Sequence, residues 1–411
     1  MKRAAFLMTY IMVVWFVISF VTNLIGPLMP VIISDFNLSL GMAGFLPFSF
    51  FLAYGLISIP AGALVEARGP RLTLLAAFTL NLIGCVAISV WPTYAVVIGG
   101  LFVIGLGMAM LQVVINPLMR TTGGEAHFAF FAVMAQLVFG LASYLSPLIY
   151  SALMRQPSAA QRPLVWVEFY WAFVVVYVLL ILTTSLLSIP RVELSEAERG
   201  GSIATYRKLL GEPVVQLFFL GIIAYVGTEQ SLADWMSQFL ATYHHFSPTR
   251  EGAHAVSLFW GLMSVGCLLG LLLLRLLDAK VVLAVFTTLA IGCVGLALFG
   301  DARVSLLAFP ACGFFLSVMW SIIFSLALNS VSSHHGAFSG ILCTGILGGA
   351  VVPLLVGMLA DHVGLRAAML TVFVTLGFIL SIAFWAQPLI RNETVGVLDL
   401  FSLRRRGNAH E

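Results

Sequence analysis

A chain of 411 residues that is 61% hydrophobic and only 9% charged, with a net charge of +3, is no water-soluble globular domain. Its twenty lysines and arginines are scattered in short loops, so there is no basic face for nucleic acid. The five cysteines all fall inside apolar runs and form no CxxC pair, which excludes a disulfide framework and a metal site; no cofactor is expected.

Apolar residues come in blocks of about 20–28, and a bilayer-spanning helix needs roughly 20. Spanning strands would instead alternate in polarity, and no such segments occur. Met1-Lys2-Arg3 leads into an apolar run reaching about Ile33, too long for a signal-peptide core and without a clear cleavage site. It is read as the first of twelve helical spans, at about 5–33, 41–65, 72–91, 94–119, 127–154, 163–189, 213–240, 253–274, 281–299, 304–331, 337–360 and 367–389. The long hydrophilic segment Pro190 to Pro213 divides six spans from six, and Ile203 to Leu210 within it reads as a short surface helix. The expected layout is a first half over 1–189, a cytoplasmic linker over 190–212, a second half over 213–390 and a cytoplasmic tail over 391–411.

Orientation follows from lysine and arginine bias. With the N-terminus in the cytoplasm, fifteen of the twenty basic residues fall inside and five, Arg155, Arg162, Arg250, Arg303 and Arg366, fall outside. This predicts a multi-pass plasma-membrane protein, in bacteria the inner membrane, with both termini cytoplasmic. A monomer in the bilayer is expected.

Chemistry concentrates in a few places. No GxxxxGK[ST], HExxH or GxSxG occurs, so neither an ATP motor nor these hydrolytic sites are encoded. The fifth span of each half is interrupted, by Gly140 and Pro147 in one and by Gly345, Gly348, Gly349 and Pro353 in the other. Such interruptions mark site-lining helices of transporters, and equally permit close helix packing. Gln112, Asn116 and Arg120 recur every four residues on one helix face. The seventh span contains two carboxylates, Glu229 and Asp234, where each costs on the order of 2.5–3.5 kcal/mol to insert. Glu229 is expected on a hydrated path, and Asp234 at an outer vestibule. Trp235, Trp260 and Trp320 offer flat faces to a ring-shaped solute, or simply pack.

The second span ends Gly62-Ala-Leu-Val-Glu66-Ala-Arg68-Gly69-Pro70-Arg71, which resembles the loop 2–3 signature of the major facilitator superfamily. The resemblance implies a fold of twelve helices in two six-helix halves. It makes Glu66, Arg68 and Arg71 a gating latch between them. Asn23-Leu-Ile-Gly26-Pro27, Gln112-Val-Val-Ile-Asn116-Pro117, Gln136-Leu-Val-Phe-Gly140, Tyr225-Val-Gly227-Thr-Glu229 and Gly348-Gly349-Ala350-Val-Val-Pro353 together resemble the fucose:proton symporter family. That resemblance implies a sugar site with Asn23 and Gln136, to which the polar helix face of Gln112 and Asn116, together with Glu229 and Trp235, is added here. Two family carboxylates used in proton coupling are replaced by Gly26 and Gln112, which leaves Glu229, then Asp234, to carry protons.

The expected function is uptake of a monosaccharide or similar small polar solute by alternating access, coupled to a cation, a proton in the first place. A facilitator-fold exporter or uncoupled carrier of another metabolite or drug is the alternative. A non-transporting sensor or membrane enzyme is disfavoured by the tiny loops and missing catalytic motifs.

Overall fold

The computed structural model describes residues 2–123, 128–155, 164–190, 203–332 and 334–389. All regular structure among them is helical, and twelve segments are long and apolar enough to cross a membrane.

Span one is α1 (Lys2–Thr22) followed by α2 (Ile25–Phe36). Spans two to six are α3 (Leu40–Arg68), α4 (Pro70–Val90), α5 (Tyr94–Gly123), α6 (Phe128–Met154) and α7 (Val167–Leu186). The short α8 (Ile203–Leu210) stands between the halves, at the expected place. Spans seven to nine are α9 (Pro213–His244), α10 (Ala253–Leu276) and α11 (Ala279–Phe299). Span ten is α12 (Ala302–Leu316) with α13 (Met319–Leu328), and span eleven is α14 (His335–Thr344) with α15 (Gly348–Val363). Span twelve is α16 (Leu365–Ala368) with α17 (Thr371–Trp385). The tail from 391 onward lies outside the described residues.

Helix starts follow local chemistry. Ser39, Asp278 and Asp301 accept first-turn amides through their side chains, and Pro70 and Pro213 sit at first helical positions, where a missing N–H costs nothing. Outward-facing leucines and aromatics such as Leu182, Leu307 and Phe384 stay exposed. For a chain of this composition they are the lipid-facing surface, not a defect.

The halves meet along three helix pairs, α2 on α9, α3 on α15 and α6 on α10. Gly26 makes the first pair possible. A β-carbon there would lie 2.7 Å from the Ala233 carbonyl oxygen, so only glycine lets the backbones approach.

Candidate functional site

Three spans are interrupted near mid-helix. In span one, Pro27 has no N–H to give the Asn23 carbonyl, and the chain turns at Asn23–Leu24. In span ten, Ser317 Oγ donates to the Phe314 carbonyl at 2.7 Å, a local bond that competes with the helix ladder at the α12–α13 joint. In span eleven, Gly345–Leu347 forms a single 3-10 turn. All three interruptions border one cavity of about 1000 Å³ between the halves.

The cavity begins at mid-helix residues, including Asn23, Phe51, Gln230 and Trp260. It continues past Glu66, Leu274 and Gly340 at helix ends, which lie on the face where α1 begins at Lys2. We call this the Lys2 face. The opposite, Asp361 face is closed by α2 and the start of α3 against α9 and α15. No lysine or arginine lines the cavity among the described residues, and its acidic groups are Glu229 inside and Glu66 at the mouth.

Glu229 sits near the middle of the 32-residue α9. It is half-buried, with the cavity on its open side, and accepts Gln230 Nε2 at 3.2 Å. Gln136 is exposed to the cavity and Gln112 is half-buried on its wall; neither amide has a protein partner among the described residues. Asn116 lies on α5, but its side chain is outside the described residues. Arg120 stands near the end of the same helix.

Asn23 does two things. Its amide nitrogen donates to the Ser19 carbonyl at 2.9 Å and to Ser143 Oγ at 2.8 Å, which ties α1 to α6. Its Oδ1 has no partner among the described residues, on a residue that borders the cavity. Interhelical adhesion and cavity lining therefore coexist there.

Trp235 is corrected. It is fully buried, its indole nitrogen donates to the Pro353 carbonyl at 3.1 Å, and it packs α9 on α15 away from the cavity. The neighbouring Glu229 is six residues back, and on a helix this turns Trp235 to another face. The cavity aromatics include Trp15, Tyr54, Tyr225, Trp260 and Trp320, of which sequence reasoning named only the last two as ring platforms. Asp234 is also displaced from its expected vestibule. It is 3% exposed and enclosed.

Among the described residues, the three expected to form a latch make no contact with the other half that would close this face. Glu66 lines the cavity mouth with Ser339 and Gly340 of α14, and neither it nor Arg68 has an ion-pair partner among the described residues. Arg71 donates to the Ser185 carbonyl at the end of α7, within its own half. The closed contact is at the other face. Asp361, at the end of α15, accepts the Leu40 amide at 2.8 Å and the Gly41 amide at 2.9 Å, so it caps the first turn of α3 across the halves. A β-carbon on Gly41 would fall 2.5 Å from Asp361 Oδ2.

Sequence reasoning missed this role of Asp361, although a signal was present. Gly357-Met-Leu-Ala-Asp361-His-Val-Gly364 repeats the spacing of Gly62-Ala-Leu-Val-Glu66-Ala-Arg-Gly69. The final glycines share one backbone conformation, with φ of +83° at Gly69 and +81° at Gly364.

A twelve-span helical bundle with a central cavity shut on one face defines an integral membrane carrier. The Major Facilitator Superfamily model matches residues 11–345. The chain is 30% identical over 393 residues to a glucose/galactose transporter of Brucella abortus, covering 92% of this chain and 93% of the relative. It is 25% identical to the L-fucose-proton symporter of Escherichia coli, over 83% of this chain and 84% of that one. The crystal structure of the E. coli fucose:proton symporter superposes with a TM-score of 0.66 at 20% identity, covering 94% of this chain and 99% of that one. The chain belongs to the Major Facilitator Superfamily. It is a multi-pass membrane transporter, not an enzyme.

Proposed function

We propose that this chain is a secondary transporter that takes up a monosaccharide or similar small polyol by alternating access, coupled to protons. The observation that carries the reading is the cavity itself. It presents amides of Gln112 and Gln136 that have no protein partner among the described residues, surrounds them with aromatic rings, and has no lysine or arginine in its lining among the same residues. Amides donate and accept at once, as a hydroxyl does, so they suit a neutral polyol. The absence of lysine and arginine from the lining gives no counter-charge to a phosphorylated or acidic sugar. The names of the Brucella and Escherichia relatives support the same substrate class.

The substrate ligands in this reading are Asn23 Oδ1, Gln112, Asn116 and Gln136, with Trp15, Trp260 and Trp320 as candidate ring platforms. Glu229 is the coupling carboxyl. It faces the water-accessible cavity, and a neutral Gln at that place would carry no proton. Positive-inside orientation makes the Lys2 face cytoplasmic, in a bacterial inner membrane, so the cavity opens inward in this state. The latch follows from the antiparallel pairing of α3 with span eleven. In the outward-open state Glu66 caps the start of α14, where His334 makes no side-chain cap bond. A membrane potential of 100 mV supplies about 2.3 kcal/mol per charge moved, enough alone for roughly a fifty-fold gradient.

The test is reconstitution in proteoliposomes. Under an imposed inward proton gradient, a labelled neutral hexose should accumulate above equilibrium, and sugar phosphates should not compete. Gln136→Ala should weaken hexose binding about tenfold, the loss of roughly one buried hydrogen bond to a ligand, without unfolding the protein. Accumulation driven only by an outward gradient, or no discrimination between neutral and phosphorylated sugars, would overturn the reading.

A further inference from the structure

Asp234 is a buried acidic group of a membrane-spanning helix that the cavity does not explain. It stands on α9 about one turn, or roughly 6 Å, beyond Gln230 toward the Asp361 face. Gln230 lines the closed end of the cavity; Asp234 lies past it, inside the seal. The backbones of α2 and α9 approach closely here. A β-carbon on Gly26 of α2 would lie 3.2 Å from Asp234 Cα. The residue is 3% exposed, and its Oδ2 is buried with no hydrogen-bond partner among the described residues.

Among the described residues no neighbouring charge compensates it. On α2, Asp35 accepts the Trp166 indole N–H at 2.8 Å. In the turn Pro248–Gly252, Arg250 pairs with Glu251 at 2.6 Å, and His254 at the start of α10 is exposed. On α15, Asp361 holds the α3 amides and His362 is exposed. Arg366, just beyond, stacks over Tyr243 at 4.5 Å. Arg303 of α12 is exposed, and α13 and α17 carry no acidic or basic side chain. Arg275 of α10, Arg207 and Lys208 of α8 and the start of α14 at His335 lie at the Lys2 end of the bundle.

A carboxylate shut away from both water and a cation is a costly species, whereas the neutral acid can be packed. Opening of the α2–α9 contact would return water to the same group. We propose that Asp234 is a proton-binding site of the gate: the Asp361-face gate closes over Asp234 only after its carboxylate has taken one proton from water on that side. The bond formed is a carboxyl O–H, and the proton returns to water when the gate reopens. This deepens the proton-coupled reading above. It adds a second titrating group, which governs gate closure and not substrate occupancy. Acid on the Asp361 face therefore favours the state seen here, and alkali favours the opposite one.

The experiment needs no sugar, so its failure is separable from failure of the substrate assignment. Amide hydrogen exchange of the full-length protein in nanodiscs is measured from acidic to alkaline buffer, corrected for intrinsic exchange, over residues 25–48 and 353–363. The wild type should lose about tenfold protection in both segments as pH rises, the signature of gate opening. Asp234→Asn, which is isosteric and neutral, should stay protected throughout, while Asp234→Glu should keep the pH response. The Glu variant also reports whether a change at this position is tolerated by the fold. An unchanged pH response in Asp234→Asn overturns the proposal. So does loss of the response in Glu229→Gln instead, or a response to sodium at fixed pH in place of one to protons.

Discussion

Two carboxylates five residues apart on one helix have opposite surroundings. Glu229 meets the cavity and Gln230; Asp234 meets sealed packing. Helical geometry alone turns them about 500° around the axis, or 140° apart once a full turn is removed, so one helix can serve a hydrated path and a gate. Glu229→Gln removes the titrating group and keeps the shape. It should abolish gradient-driven accumulation in proteoliposomes, from roughly fifty-fold to about one-fold, while leaving exchange down a concentration gradient intact. Loss of both activities would make Glu229 a substrate ligand or structural residue, and retained pH-driven accumulation would end its coupling role. Asn23 teaches a different lesson. A buried amide has one donor end and one acceptor end, and here the donor end holds two helices together while the acceptor end is left unpaired.

Among elements, α3 and span eleven form the informative pair. They run antiparallel, so the carboxyl end of each lies beside the amino end of the other. A helix start offers unpaired amides and a partial positive charge, and an acidic residue at the partner's end satisfies both. Asp361 does this for α3. Charge-assisted hydrogen bonds contribute about 1.5–3 kcal/mol each when shielded, and less at an exposed site such as this one. Asp361→Ala should shift the population toward the state open on the Asp361 face by about tenfold. Glu66→Ala should shift it the other way. The measurement is labelling of single cysteines introduced on each face of a cysteine-free background. Equal labelling in both variants and the wild type would show that the caps do not set the equilibrium.

For the whole molecule, the proposed orientation rests on the fifteen-to-five split of basic residues. Lys208 on α8 and Arg303 at the start of α12 are both exposed and lie at opposite ends of the bundle. Cysteine at 208 should react with an impermeant maleimide only in inside-out vesicles, and cysteine at 303 only in intact cells. The reverse pattern would place the cavity mouth on the outer side and turn the proposed importer state into an outward-open one.

The helical class, the spans, the division into six and six and the family were legible in the sequence, because each depends on local quantities. Block length against bilayer thickness, loop charge and short motifs need no knowledge of what packs on what. The cavity position of Gln112, Gln136 and Glu229 was legible for a related reason: polar groups in apolar spans cluster where water reaches. Trp235 and Asp234 were placed wrongly because hydropathy does not tell a face turned to a cavity from one turned to a neighbouring helix. Both faces are inside the bundle, and only the packing of α9 on α2 and α15 distinguishes them. The state of the gate was out of reach for a deeper reason. Glu66 and Asp361 sit in segments of matching spacing, so the sequence allows either cap, and only the tertiary structure shows that the halves are closed at Asp361 and open at Glu66.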